Sequence, residues 1–220
     1  MKYFDRDTLI FISGSNGVGK TTLAQKLLQK HTEFIVIQNI DILREIVRST
    51  YRIFSLCNYD YQLLNRSASE LTYSELVLQS ELLMPHIISL CKRLQIKCIP
   101  AIIEGINICY ESLFNNYEFR QFLEGNKNVV FVNLYLSNEQ EHFEKIANRI
   151  TDGFTREKQV KNFNNIRHNN DIMNMVVNRI NEDSSYYINP IINIDVAAFD
   201  LNKQENIDRI ISLIEINLRQ

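Results

Sequence analysis

The sequence predicts an α/β protein with a parallel sheet at its centre and helices packed on both faces. Short apolar runs alternate with segments of helical periodicity along the chain, which is the pattern of strand–helix–strand units. The runs are hydrophobic almost throughout, as expected for strands that are covered on both sides. A glycine-rich stretch separates the first strand from the first helix. Because the 220 residues contain no linker or internal repeat, we expect a single domain over residues 1–220.

Five short, mostly apolar runs are predicted to form the strands, and helical patterns fill the intervals between them. The predicted strands cover residues 8–13, 34–38, 97–105, 128–136 and 191–195.

The longest helical pattern covers residues 69–94 and contains Pro85, which we expect to mark a kink. A first helix opens at residues 23–28, directly after the glycine-rich stretch. A further helix is predicted to begin at Asn138, with Phe143, Ile146 and Ile150 facing the core. Another is predicted over residues 156–183. A closing amphipathic helix carries Ile207, Ile210, Ile211 and Ile214.

Two segments lack clear periodicity. Residues 50–65 are aromatic and irregular, so that a segment of about 50–68 is predicted either to cover a substrate pocket or to pack as a connecting loop. Residues 106–126 form a polar and aromatic insertion to which the sequence assigns no role.

The composition excludes several classes of protein. The 24 Lys and Arg residues against 26 Asp and Glu give a net charge of −2, so no positive field attracts nucleic acid, and none is expected as a partner. The four cysteines lack CxxC spacing, which argues against a disulfide framework and a zinc site. No apolar stretch approaches the ~20 residues of a membrane span, and the N-terminus reaches the first strand too early for a signal peptide. We therefore expect a soluble, cytoplasmic protein without a membrane partner.

The glycine-rich stretch reads GSNGVGKTT and fits the pattern GxxxxGK[ST] at every fixed position. Glycines let consecutive backbone N–H groups turn toward a phosphate, and the following helix adds its unpaired donors and dipole. The lysine would bridge the β- and γ-phosphates, and the first threonine hydroxyl would bind Mg²⁺. The alternative is a chance glycine-rich turn. The predicted ATP-binding residues are Gly14, Ser15, Asn16, Gly17, Val18, Gly19, Lys20, Thr21 and Thr22.

Asp41 follows the second predicted strand, where open α/β sheets collect their ligands. It is a candidate substrate-binding or catalytic carboxylate, although it could instead cap the following helix. Arg44 lies one helical turn later and could bind an anionic substrate, unless it is an ordinary solvated arginine.

Glu104 lies at the end of the third predicted strand and is the candidate second contact to Mg²⁺, through water. Its alternative role is an ion pair at a strand end. Arg149 and Arg156 flank a turn-like segment, with Lys145 and Lys158 nearby. These cations predict a lid at about residues 149–160 that neutralises charge during phosphoryl transfer, or else a solvated helix face.

Two other classes of nucleotide-binding protein are disfavoured. A GTPase needs an NKxD sequence, and neither residues 126–129 nor residues 202–205 supply the aspartate. A remodelling ATPase typically has an Asp-Glu pair at a strand end, whereas residues 103–105 contain one acid. The layout that remains is that of a small-molecule kinase.

Several segments also match a known family in order. They read SGSNGVGKTT (13–22), DILREIVR (41–48), IIEGI (102–106), FNNIR (163–167) and IINID (191–195). Through them the sequence resembles the 2-phosphoglycerate kinase-like group of P-loop kinases. The resemblance implies a three-layer P-loop NTPase fold of the nucleotide-kinase type, with a five-stranded parallel sheet in the order 2-3-1-4-5 and a helical lid. It also implies a substrate role for Asp41 and Arg44, because an Asp-x-x-Arg segment lies at the substrate pocket in that family.

The expected function is transfer of the γ-phosphate of ATP, with Mg²⁺, to a hydroxyl or phosphate group of a small metabolite, such as a phosphoglycerate-like acid. Lys20, Asp41, Arg149 and Arg156 are the expected catalytic residues. A nucleoside or nucleotide kinase is the alternative enzyme, and an ATP-binding regulator without catalysis is the alternative from another class. The sequence leaves the oligomeric state open.

Overall fold

The computed structural model of the chain describes residues 5, 7–31, 34, 36–54, 59–126, 128–148, 153–183, 190–201 and 203–218. Strands and helices alternate through most of this part of the chain. In order they are β1 (Leu9–Gly14), α1 (Lys20–Lys30), β2 (Val36–Asn39), α2 (Ile40–Phe54), α3 (Tyr59–Asn65), a 3₁₀ turn (Ala68–Glu70), α4 (Tyr73–Ile96), β3 (Ala101–Glu104), α5 (Tyr110–Asn115), α6 (Tyr117–Glu124), β4 (Val129–Tyr135), α7 (Glu139–Ala147), α8 (Gly153–Lys161), α9 (Phe163–Glu182), β5 (Ile192–Asp195) and α10 (Gln204–Asn217).

The strands form one parallel sheet in the order β2-β3-β1-β4-β5. Each parallel pair requires a crossover connection, and the intervening helices supply it. Since β1 lies between β3 and β4, the loop after β1 emerges at the centre of the sheet. This arrangement agrees with the α/β parallel sheet that the sequence predicts, and each strand falls within two residues of its predicted bounds at its carboxyl end.

Alternate residues of the strands face opposite layers of helices. Leu9 and Phe11 of β1 pack in a core that includes residues of α2, α4, α5, α6 and α9. Ile10 and Ile12 face the other side, where α1 and α10 cover the sheet. The period-two alternation of a buried strand therefore produces two cores and three layers.

Residues 106–126 are part of the core of the protein. They form α5 and α6, and Tyr110 and Phe119 from these helices surround Phe131 of β4 at ring-centroid distances of 5.6 and 6.3 Å. Phe131 also stacks on Phe11 at 5.3 Å. The hydroxyl of Tyr110 donates to the main-chain oxygen of Val132 at 2.7 Å. The insertion thus closes one face of the sheet, a role that its polar and aromatic sequence did not reveal.

Several helix boundaries differ from the sequence prediction. The long helix begins at Tyr73 rather than residue 69, because Thr72 and Glu75 form a reciprocal capping box at that point. The predicted helix at 156–183 is two helices, α8 and α9, separated by Asn162. Phe143 was expected to face the core but is 37% exposed. Among the described helices, none is long and apolar enough to cross a bilayer.

The aromatic core predicts a large difference between two substitutions. Phe131→Ala should lower the free energy of unfolding by about 3–5 kcal/mol, because it removes a fully buried ring that contacts both β1 and α5. Tyr117→Ala, on the 68%-exposed ring of α6, should change it by less than about 0.5 kcal/mol. Urea denaturation followed by circular dichroism measures both. Equal effects would contradict the assignment of residues 106–126 to the core.

Candidate functional site

A cleft of about 730 Å³ lies at the carboxyl ends of the strands. Residues that follow β1, β2, β3 and β5 line it, together with residues from α7 and α8. Most of the residues predicted from the sequence meet there, because residues 16–22, Asp41, Arg44 and Glu104 all line the same cleft. Gly14 and Ser15 do not line the cleft, and Ser15 is fully buried beneath the loop.

The loop between β1 and α1, residues 14–19, adopts a conformation that requires glycine. Gly14 and Gly17 have φ values of 142° and 83°, in the region that L side chains rarely occupy. A Cβ at Gly14 would lie 2.3 Å from the main-chain oxygen of Leu134 on the neighbouring strand. At Gly17 it would lie 2.8 Å from the side chain of Ile146 in α7. We call residues 14–19 the glycine-rich loop.

The glycine-rich loop leads into the N-terminus of α1, where positive charge accumulates. The helix begins at Lys20 with Gly19 as its N-cap, and no side chain caps it. The ammonium group of Lys20 donates to the main-chain oxygen of Ser15 at 2.8 Å, so it lies across the loop. Uncapped N–H groups, the helix dipole and a lysine together form an arrangement that can bind an anion.

Glu104, the last residue of β3, forms hydrogen bonds to side chains of β2 and α1. Its Oε1 accepts hydrogen bonds from the Thr21 hydroxyl at 3.3 Å and from the Asn39 amide at 2.7 Å. The carboxylate is 2% exposed, and this burial raises its pKa, while the nearby charge of Lys20 opposes the shift.

Thr21 and Glu104 also fit the predicted magnesium contacts. A hydroxyl and a carboxylate are the hard oxygen ligands that Mg²⁺ prefers, and Mg²⁺ usually takes its remaining ligands from waters and substrate phosphates. The two side chains stand together at the mouth of the glycine-rich loop, as a shared ion would require.

Asp41 is not the cap of α2, which corrects one of the two interpretations of its sequence position. The Oδ1 of Asn39 accepts a hydrogen bond from the backbone N–H of Asp41 at 2.8 Å, so Asn39 is the capping residue. Asp41 lies in the first turn of the helix with an exposed side chain that lines the cleft.

Arg44 is not a solvated surface arginine. Its side chain is 13% exposed and lines the cleft. The guanidinium donates to the main-chain oxygen of Arg66 at 3.5 Å and lies 3.4 Å from Glu45. Its Nε is buried and has no acceptor within the described part of the chain. The side chain therefore lies at the cleft with one buried N–H that the described residues do not satisfy.

The predicted covering segment reaches the cleft at its end. Of residues 50–68, Ser67 and Ala68 line the cleft, and residues 55–58 lie outside the described part of the chain. The adjoining Glu70 forms an ion pair with Lys158 of α8 at 2.8 Å. This ion pair connects the end of the segment to α8.

The predicted lid residues have mixed positions. Arg149 lies outside the described residues. Arg156 is exposed on α8 and does not line the cleft, whereas Thr155 and Gln159 of the same helix do. Among the described residues of this region, Lys145 of α7 is a cation that lines the cleft, and it also pairs with Glu141 at 2.8 Å. A role for Arg156 in charge neutralisation stays a prediction.

His142 of α7 contacts the glycine-rich loop, and the sequence analysis did not single it out. It is fully buried, and its Nε2 lies 2.7 Å from the main-chain oxygen of Asn16. Burial lowers its pKa, an effect that Arg167 adds to and that the Asn16 hydrogen bond and Asp171 partly oppose. The ring is therefore neutral near pH 7.

Other residues of the site were also missed. Asn39 had a usable signal, since it ends a predicted strand and precedes a helix. Gln159, and Val196 and Leu201 from the loop after β5, had none, because nothing local in the sequence marks which residues of a helix or loop reach a cleft.

Comparison with models of protein families gives no match, and comparison with curated proteins gives no significant match. The resemblance to the 2-phosphoglycerate kinase-like group therefore stays a prediction from the sequence segments alone.

The capping assignment predicts that two neighbouring substitutions differ in stability. Asn39→Ala should lower the free energy of unfolding by about 1–2 kcal/mol, because it removes both the helix cap and a hydrogen bond to buried Glu104. Asp41→Ala should change it by less than about 0.5 kcal/mol at moderate salt, since the side chain is exposed. Chemical denaturation checks both. A larger loss for Asp41→Ala than for Asn39→Ala would return the capping role to Asp41.

His142 predicts a pH dependence of stability. Its pKa is lowered on folding from an ordinary value of about 6.5, so the unfolded chain takes up a proton there before the folded protein does. The stability that neutral His142 contributes should be complete above about pH 6.5 and decline as the pH falls below it.

The matched variant is His142→Gln, which lacks this titration. Urea denaturation between pH 5 and pH 8 should show the wild type losing stability relative to the variant as the pH falls. Lys145 on α7, and Arg167 and Asp171 on α9, also act on the ring, and they are unchanged in the comparison. A stability difference that is constant with pH would show that His142 titrates alike in both states.

Proposed function

We propose that the chain is an ATP-dependent phosphotransferase of the P-loop, nucleotide-kinase-like type, which transfers the γ-phosphate of ATP to a small polar acceptor. The observation that carries the proposal is the joint placement of Lys20, Thr21 and Glu104 at the start of α1, with Asp41 and Arg44 in the same cleft. Lys20, Thr21 and Glu104 suit a triphosphate and its metal ion. Asp41 and Arg44 suit an acceptor beside it.

The donor half of the proposal rests on the glycine-rich loop. Its positive φ angles at Gly17 and Gly19, and the uncapped N-terminus of α1, favour binding of the β-phosphate by backbone N–H groups. Lys20 would move from the oxygen of Ser15 to the phosphates. Thr21 and Glu104 would hold Mg²⁺, which neutralises charge on the β- and γ-phosphates when bound.

The acceptor half rests on polar side chains. Asp41 has an exposed carboxylate that can orient an acceptor hydroxyl and take its proton. Arg44 offers a buried N–H without an acceptor in the described residues, which supports an acceptor that carries an anionic group. A phosphoglycerate-like acid has both a hydroxyl and anionic groups.

Charge on the transferring phosphoryl group needs cations from more than one side. Lys20 supplies one, and Lys145 of α7 also lines the cleft. Arg149 and Arg156 stay in the proposal as lid residues that would act when α8 moves toward bound nucleotide.

Acceptor chemistry separates the proposal from its alternatives. A nucleoside or nucleotide kinase would release ADP with nucleosides or nucleotides and not with sugar acids. A non-catalytic ATP-binding regulator would bind ATP and phosphorylate no acceptor in any pool. A metabolite extract incubated with γ-labelled ATP and Mg²⁺ distinguishes all three from the identity of the labelled product.

The decisive variants concern the two halves separately. Lys20→Ala should lower ATP turnover at least about 100-fold, because it removes the cation that contacts the β- and γ-phosphates. Lys26→Ala is the matched control, since Lys26 lies on the same helix and does not line the cleft. Asp41→Asn should lower turnover about 10²–10⁴-fold while ATP affinity is retained, as for loss of a general base.

ADP release and calorimetric ATP binding measure these effects on folded protein. Wild-type turnover by Lys20→Ala would overturn the donor half of the proposal. Wild-type turnover by Asp41→Asn would overturn the acceptor role of Asp41 and leave the donor half in place.

A further inference from the structure

His142 occupies an unusual place for a histidine. It lies on α7 with no exposed surface, between the glycine-rich loop and Phe163 of α9. Its Nε2 is 2.7 Å from the main-chain oxygen of Asn16, and its ring meets that of Phe163 edge to face at 5.6 Å. The cleft does not include it. A direct contact with phosphate or acceptor is therefore not its function.

The hydrogen bond fixes the tautomer of the ring. A carbonyl oxygen accepts only, so Nε2 must carry the proton that it shares with Asn16. The Nδ1 of His142 is buried and has no partner among the described residues. A proton there would be unsatisfied, and burial lowers the pKa of the ring accordingly. His142 is thus a neutral donor that points at one backbone carbonyl.

That carbonyl determines the direction of the next amide. In a trans peptide the C=O and the following N–H point in opposite directions, and the described residues contain no cis peptide. With the oxygen of Asn16 turned toward α7, the N–H of Gly17 points away from α7. Gly17 itself lines the cleft.

A second residue of α7 packs against the same peptide. Ile146, one helical turn after His142, lies 2.8 Å from the position that a Cβ on Gly17 would take. The side chain of Ile146 is fully buried. Two residues of α7 therefore contact the Asn16–Gly17 peptide, and a flip of the peptide would break the His142 hydrogen bond and bring the N–H of Gly17 against the N–H of His142, so that both donors lack an acceptor.

We propose that His142 is a positioning residue that holds the Asn16–Gly17 peptide with its N–H toward the phosphates of a bound nucleotide. A free peptide could turn its carbonyl oxygen into the loop, where it would repel an anion. The donor of His142 prevents that by binding the oxygen outside the cleft. The inference rests on the proposed function, because it assigns a role in binding phosphate.

The role also connects two parts of the site. Lys145 adjoins this anchor on α7 and lines the cleft, and the chain continues from α7 toward α8. His142 and Ile146 thus tie the loop that would bind phosphate to the helix that carries a cation toward it.

Two variants separate a positioning role from ordinary core packing. His142→Gln keeps a side-chain N–H that reaches about as far as Nε2, and His142→Met keeps the volume without a donor. The measurement is calorimetric affinity for Mg·ATP, with thermal denaturation to establish that each variant is folded. His142→Met should bind about tenfold or more weakly, and His142→Gln should stay within about threefold of wild type, as expected for loss and retention of one hydrogen bond.

A purely structural histidine would lower the stability of both variants without this difference in affinity. Normal Mg·ATP affinity in folded His142→Met, or equal weakening in both variants, would overturn the inference while the proposed function stands. Failure of the wild type to bind Mg·ATP would overturn the proposed function and this inference together.

The tautomer of His142 can also be measured in the wild-type protein, so this test does not depend on the folding of a variant. Nitrogen-15 NMR of the imidazole should show the Nε2–H tautomer of His142 near neutral pH, with a protected ring proton. The Nδ1–H tautomer would remove the donor to Asn16 and with it the inference.

Discussion

The site depends on one buried carboxylate. Glu104 ends β3, which lies between β1 and β2, and its oxygen accepts from Thr21 after β1 and from Asn39 at the end of β2. The parallel register sets Asn39 opposite Glu104 on one side and Ile12 opposite Glu104 on the other. Strands β2 and β3 end at this level, and β1 continues to Gly14. A desolvated carboxylate without these donors would be costly, and the hydrogen bonds therefore fix the geometry of the strand ends.

The two halves of the cleft follow from this arrangement. Parallel strands direct all their carboxyl ends to one edge, and the chain crosses back through a helix after each strand. The glycine-rich loop and Lys20 come from the central strand, and Asp41 and Arg44 come from the helix after the edge strand β2. The side chains that would hold a triphosphate and those that would hold an acceptor are thereby set side by side by the sheet itself.

Much of the fold and of the cleft lining was predictable from the sequence. The apolar runs locate the strands because both faces of the sheet are buried, and GxxxxGK[ST] locates the loop because its two fixed glycines, Gly14 and Gly19, adopt backbone angles that other residues avoid. The strand-exit rule located Asp41 and Glu104. It did not distinguish a cap from a ligand, since Asn39 and Asp41 are both good caps and the choice depends on the residue at which the helix begins.

The parts that were missed depend on contacts distant in sequence. His142 and Asn16 are 126 positions apart, and no local pattern marks a histidine that will meet a loop carbonyl. The helices at 110–124 were missed because both are short and their aromatic residues are interleaved with polar ones. Phe143 and Arg156 were assigned from helical periodicity and charge, which do not fix the rotation of a short helix against its neighbours.

The most direct measurement of the central claim is the affinity of the wild-type protein for AMP, ADP and ATP in the presence and absence of Mg²⁺. The account predicts that ADP and ATP bind far more tightly than AMP, because the glycine-rich loop and the start of α1 would hold the β-phosphate, and that Mg²⁺ strengthens binding of ATP through Thr21 and Glu104. Equal affinity for all three nucleotides, or no binding of ATP, would contradict it.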